Sequence, residues 1–356
     1  MPIWQRFSIP SLSMNERMSK NIREIRSRSR CRNGFVVALL LFAALAVSAA
    51  GLRYGSADMP WSDFFSALFC RKGYETFTLI LFRVRLPRVA AGAVAGVGLS
   101  VSGVLLQNVT ANELAGPNII GVNAGAGFAM IALLSFFPSA YAWGPAAAFL
   151  GAFLTTLIIT AAGSRAGGTR SSVILAGIAV TAMLNAGISF LSLLDSDVLA
   201  SYNYFSVGGL AGVAMNRLPL PAAICAFSLL AVLLMSRKID VLALGDSLAG
   251  ALGERVRVIR TLCLLLASAS AAAAVSFAGL LGFVGLVVPH MARRLVGYRT
   301  GILTLASAVL GIITVNLADL LGRCLFAPTE IPVGIMMAAV GAPFFFALLM
   351  GKRGRL

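Results

Sequence analysis

Apolar residues run along this chain in long blocks separated by short polar breaks, and most blocks match the roughly 20 residues that a helix needs to cross a bilayer core. The first is Phe35–Leu52, and a second starts after Arg88 and runs to about Gln107. Ile119–Phe137, Pro145–Ala162, Ser172–Leu194 and Leu218–Ser236 follow, then Ile259–Leu280, a shorter Gly282–Ala292, Ile302–Leu321 and Val333–Met350. The pattern predicts an all-α polytopic membrane protein with about ten transmembrane helices, two of them short. Between Asp195 and Asn216 the sequence SYNYFSVGGLAGV is amphipathic and predicts a short helix near the membrane surface. The longest polar break of the second half follows Ser236.

Composition agrees with lipid as the solvent. Of 356 residues, 59% are hydrophobic and only 12% charged, against about a quarter charged in soluble domains. The net charge of +16 is spread over short connections. That distribution suits membrane orientation and anionic headgroups, and does not form the single basic face that nucleic acid requires. Lys and Arg gather in Arg17–Arg32, at Arg165 and Arg170, in Arg237–Arg260, at Arg293 and Arg294, and in Lys352–Arg355. All five clusters fall on one side if the N-terminus is cytoplasmic, because short cytoplasmic loops retain positive charge. The expected organisation is a basic cytoplasmic tail over 1–33 and a transmembrane domain over 34–352, with both termini inside the cell membrane. The basic start, apolar run and AVSAA at 46–50 also resemble a secretory signal, yet the run is long and the topology works with it retained. The five cysteines are odd in number, lack a CxxC and mostly fall in spans, so they read as small buried apolar residues. No metal site and no cofactor is expected.

Arg83, Arg85 and Arg88 in FRVRLPR break the charge rule by falling at the outer end of the second span. They either snorkel to outer phosphates or form a patch that catches carboxylates on an external partner. Arg323 lies at the same level, with Asp319 four residues earlier and in reach of an intrahelical pair.

The segments RLPR, AGAVAGVGLSVSGVLLQ, NELAGPNIIGVNAGAG, ALGDSLAGALG, GFVGLVVPHMARRLVG, LADLLGR and EIPVGIMMAAVGAP resemble, in this order, the permeases of ABC importers for iron-siderophores, haem and vitamin B12. The resemblance runs from about Arg83 to Lys352. It implies the type II ABC importer permease architecture. It also implies four kinds of partner: a second permease subunit as homo- or heterodimer, two ATP-binding cassette subunits, an extracytoplasmic substrate-binding protein and membrane lipid. With that partner, the outer arginines Arg85, Arg88 and Arg323 become the expected docking residues for the binding protein. Carried over by position, Asn112 and Leu114 become the cytoplasmic gate, with Glu113 standing where the family usually has Pro. The stretch at about 238–257 becomes the segment that couples to the ATPase, through Leu244, Gly245, Asp246, Leu248, Ala249, Leu252 and Gly253.

The residues themselves agree with these roles. Gly92, Gly96, Gly98 and Gly103 have the small-residue spacing that lets helices touch in lipid. ALGDSLAGALGERV is too polar and short to cross a membrane, and predicts two small helices around Gly245 and Gly253 with Leu244, Leu248, Ala249 and Leu252 on an apolar, partner-seeking face. His290, the one histidine, reads as packed and hydrogen-bonded at a helix bend beside Pro289, and Glu330 with Pro332 as an entry signal for the last helix. Pro343 fits a curved or interrupted last helix. A secondary carrier driven by an ion gradient would need acids inside the spans, and Asp319 is nearly the sole candidate. A membrane enzyme fits less well still, for no GxxxxGK[ST] loop and no paired carboxylates in one span appear. The expectation is a non-enzymatic subunit of an importer of iron-siderophore, with haem or vitamin B12 as alternative cargo. Tyr202, Tyr204 and Phe205 are placed to meet the cargo or to form an interfacial aromatic belt.

Overall fold

The computed structural model describes residues 12–352 apart from Lys72 and Gly168. Arg353, Arg355 and the first eleven residues of the basic tail lie outside the described residues. The helices are α1 (Leu12–Arg53), α2 (Trp61–Leu68), α3 (Glu75–Leu79), α4 (Leu86–Thr110), α5 (Val122–Phe136), α6 (Gly144–Arg165) and α7 (Arg170–Leu194). They continue as α8 (Ser196–Val207), α9 (Pro219–Ala243), α10 (Asp246–Ala251), α11 (Val256–Ala278), α12 (Val284–Val296), α13 (Thr300–Cys324) and α14 (Val333–Lys352). Each apolar block of the sequence becomes a helix. Among the described residues seven helices are long and apolar enough to cross a membrane, while Val122–Phe136 and Val333–Ala347 are shorter apolar helices.

Two boundaries differ from expectation for a physical reason. From Leu12 the basic tail is not a separate segment but continues α1 as one helix. Likewise α9 runs through the polar residues after Ser236 as far as Ala243. Arg, Lys, Leu and Ala are all good helix formers, so loss of hydrophobicity does not by itself end a helix, and α1 continues even across Gly34.

α4 is the axis of the bundle, packed by α13, α11, α12 and α9. Its glycines make this possible. A Cβ on Gly96 or Gly311 would collide with the other's carbonyl, and one on Gly103 would strike the carbonyl of Gly285. Without an aqueous hydrophobic force between helices in lipid, such backbone proximity supplies the van der Waals contact that holds them. The outward faces of α1, α7 and α9 instead carry exposed Phe35, Phe42, Leu175, Leu193, Phe227 and Leu234, side chains that lipid can cover. A turn of π-helix, Ile80–Arg85, precedes α4. Pro87 has no N–H to return to the carbonyl of Arg83, which relaxes the helix where the arginines cluster.

Candidate functional site

Three groups of residues stand out: a buried ionic cluster at one end of the bundle, two cavities beside it, and a polar assembly around α10 at the other end. The cluster joins α1, α4, α13 and the loop before α14. Arg88 Nε donates to both oxygens of Asp319 at 2.9 and 3.1 Å, and its Nη1 donates to Glu330 Oε2 at 2.6 Å. Arg323 Nε lies 3.1 Å from Asp319 Oδ2, the i,i+4 pair that the sequence predicts. Arg85 donates to the carbonyls of Leu52, Arg53 and Ala57, and Arg323 to those of Gly51 and Tyr54. Three guanidinium groups thus meet two carboxylates, and the surplus charge is spread over backbone dipoles at the end of α1.

The expectation of an exposed electropositive docking patch is corrected here. Arg85, Arg88 and Arg323 are 3%, 6% and 2% exposed, so their charges face inward and are already bonded. Of the FRVRLPR arginines, Arg83 is exposed. Burial of this kind is tolerable only because every charge has partners; a bare one in a low-dielectric interior would be far costlier. Glu330, expected as a helix-entry residue, has two long-range partners that its local sequence does not reveal: Arg88, and Ser56 Oγ donating to Oε1 at 2.8 Å.

Glu330 lies in the loop outside the spans. Partial burial pushes its pKa up, but the hydrogen bonds from Arg88 and Ser56 outweigh it and hold the carboxyl below its ordinary 4.5. A depressed pKa stabilises the fold at pH above the ordinary value, and that contribution disappears as pH falls through the lowered one. Melting of detergent-solubilised protein is therefore expected to lose stability below pH 4.5, and Glu330→Gln to flatten part of that acid limb. An unchanged acid limb in the variant would show that the Arg88–Glu330 bond adds nothing.

Beside the cluster is a cavity of about 540 Å³ lined by Tyr141, Tyr204, Phe205, Arg217 and Ser276. A second, of about 450 Å³, is lined by Arg88, Asn203, Tyr204, Glu330 and Pro332. Tyr204 borders both and Phe205 the first, whereas Tyr202 lines neither and packs, half-buried, against the small apolar cluster that α5, α7 and α8 form. The walls mix aromatic and small side chains with Arg217 and Ser276 in the first cavity and Arg88, Asn203 and Glu330 in the second.

At the opposite end, α10 is one short helix and not the expected pair, because α9 and α11 absorb the flanking residues. Glycines set its borders: Gly245 has φ +111° and Gly253 φ +82°, conformations that other L-residues rarely adopt. Leu244, Leu248 and Leu252 are 62%, 58% and 65% exposed. Ala249, expected on the same face, is instead fully buried against the bundle. Arg260 Nη2 of α11 donates to Asp246 Oδ1 and Oδ2 at 2.6 and 2.7 Å. An apolar row thus faces outward on a helix whose other side is bonded down.

The turn after α4 lies at this same end. Ala111 is left-handed, and Asn112 N–H returns to the carbonyl of Gln107. Asn112 Oδ1 then accepts from Leu114 N–H at 2.9 Å, so Asn112 shapes the turn while remaining exposed, with Leu114 half-buried. Glu113 faces α12: its Oε2 is 3.7 Å from His290 Nδ1, and Tyr298 Oη donates to Oε1 at 3.4 Å. Arg293 donates to Gln107 Oε1, and Gln107 Nε2 to the carbonyl of Leu286 at 3.3 Å. His290 is buried, with its ring edge-on to Phe344.

Comparison with known proteins settles the lineage. The FecCD transport family profile matches residues 38–351. The chain belongs to the FecCD transport family. It is 34% identical over 357 aligned residues to the iron(3+)-hydroxamate import system permease protein FhuB of Bacillus subtilis, covering 99% of this chain and 92% of the relative. It is 36% identical over 279 residues to the Fe(3+)-citrate import system permease protein YfmE of the same organism, covering 77% and 83%. Among solved structures, a metal-chelate type ABC transporter in an inward-facing conformation superposes with a TM-score of 0.79 at 25% identity, covering 89% of this chain and 99% of the other. This FecCD-family chain is accordingly a multi-pass membrane permease of an ABC import system, a transport subunit in fold and kinship.

Proposed function

We propose that this chain is the permease subunit that carries a ferric siderophore through the cell membrane, paired with a second permease and driven by two cytoplasmic ATPase subunits. The observation that carries the reading is α10: a helix bounded by two glycine-set turns with Leu244, Leu248 and Leu252 facing outward around it, on a chain whose sequence has no phosphate-binding loop of its own. An exposed apolar row held on a bonded-down helix fits a cleft in a partner, and the ATPase is the partner that the kinship with ABC permeases supplies. On this reading α10 faces the cytoplasm together with the Asn112–Leu114 turn, which gates the exit.

The Glu330 end then faces outward and receives cargo from the binding protein. Arg85, Arg88 and Arg323 act there from behind the surface. They hold the 51–57 strap and Glu330 in place and so shape the docking face and the mouth of the cavities. The ion-gradient alternative is weakened by the same geometry, because Asp319 is held by Arg88 and Arg323 and a carboxylate so engaged is poorly placed to bind and release an ion.

The hydroxamate and citrate importers among the relatives make an iron chelate the favoured cargo, while cavities with aromatic walls would also pass a corrinoid. The test is uptake into proteoliposomes holding the whole complex, with radio-iron ferric hydroxamate, ferric citrate and labelled cobalamin offered in parallel through the binding protein. Saturable uptake of an iron chelate is expected. Uptake of cobalamin with neither iron chelate would overturn the cargo assignment.

A further inference from the structure

A hydrogen-bonded route connects the base of α10 to the gate turn, and it passes through one residue. Asp240 lies in the last turn of α9, four residues before Leu244 where the chain turns toward α10. Its Oδ1 accepts from the backbone N–H of Thr300 at 2.8 Å. Thr300 is the first residue of α13, and no side chain of its own helix caps that start, so Asp240 supplies from another helix the acceptor that a helix N-terminus lacks. Thr300 is 1% exposed, and its Oγ1 accepts from Asn108 Nδ2 at 3.2 Å. Asn108 stands in the last turn of α4, three residues before the left-handed Ala111 that begins the gate turn, and its carbonyl accepts from Ala111 N–H at 3.4 Å.

We infer that Thr300 is a positioning residue for transport, the junction through which movement of α10 and the end of α9 is passed to α4 and the Asn112–Leu114 turn. The inference rests on the proposed coupling role of α10. Two features make the junction rigid. Asp240 fixes the Thr300 backbone while Asn108 fixes its side chain, so α9, α13 and α4 meet at one buried residue. α4 is clasped by glycine contacts along its length and transmits displacement at its end with little bending. Mere adjacency does not prove such a route; it has to show as coupling energy between its members.

The experiment is cargo moved per ATP hydrolysed, measured in proteoliposomes with the complete complex, the binding protein and radio-iron ferric hydroxamate. Thr300→Val keeps the branched shape and the N–H to Asp240 but removes the acceptor for Asn108. It is expected to lower cargo per ATP by about fivefold while the ATPase still binds and hydrolyses. Asn108→Ala should give the same loss, and the double variant no more than either single one. Thr314→Val, which removes a hydroxyl bonded only within α13, should leave the ratio unchanged. An unchanged ratio in Thr300→Val, or losses that multiply in the double variant, would overturn the junction. A fold defect would lower hydrolysis and uptake together and leave their ratio intact, which counts as the same negative result. Wild-type uptake that needs no ATPase would overturn the importer reading itself, and the route with it.

Discussion

Asp319→Ala is expected to be among the most destabilising single substitutions outside the glycine contacts. Asp319 is 2% exposed and lies between Arg88 and Arg323, both of them buried too. Its removal leaves two like charges facing each other, with Glu330 the one remaining carboxylate of the cluster and bonded only to Arg88 of the pair. Breaking a buried ion pair from one side costs about 3–5 kcal/mol, because the partner's charge stays behind without compensation. A fall of about 5–10 °C in the melting temperature of the solubilised protein follows. The penalty belongs to the orphaned charge and not to the pair as such. Asp319→Ala combined with Arg323→Met should therefore recover part of the loss, which a double-mutant cycle reads as coupling. Additive losses in that cycle would mean that the two groups do not depend on each other.

Leu248→Arg should have the larger effect on transport. Leu248 is the central member of the exposed row and is itself 58% exposed, so its replacement leaves the fold nearly unaltered. If the row sits in an ATPase cleft, a charge at its centre removes a desolvated anchor and places an unpaired cation there. Hot-spot positions of that kind cost about 2–4 kcal/mol, or roughly 30- to 1,000-fold in affinity. Loss of ATPase from the purified complex, with an unchanged melting temperature for the permease alone, is the expected pair of results. An ATPase that remains bound with wild-type affinity would move the partner surface elsewhere.

The residues readable from sequence are those whose cost is local. Each apolar block becomes a helix because length and hydropathy decide that within one segment, whereas Gly245 and Gly253, expected at the centres of two small helices, instead bound a single one with their positive φ. Extension of α1 and α9 through polar residues was missed for the converse reason: propensity continued where hydropathy stopped. The docking arginines show the deeper limit. Arg88 and Asp319 are 231 positions apart, and nothing in either neighbourhood tells that they meet. A topology rule places the arginines at the outer end of a span but is silent on whether they point outward, and it is the carbonyls at the end of α1 and the carboxylates of Asp319 and Glu330 that turn them in. Ala249 was misassigned on a smaller scale, since a helix of six residues has no periodicity long enough to separate its two faces. Thr300 carried no motif at all; a surplus donor at a helix start, facing an acidic residue near the end of an earlier helix, is the sole hint the sequence offers.

The measurement that bears most directly on the whole account is uptake of radio-iron ferric hydroxamate into proteoliposomes holding the permease pair, with the ATPase subunits present or omitted. The account predicts binding-protein-dependent uptake only when the ATPase and ATP are both supplied. Uptake that continues at the same rate without the ATPase, or that follows an imposed ion gradient, would contradict it.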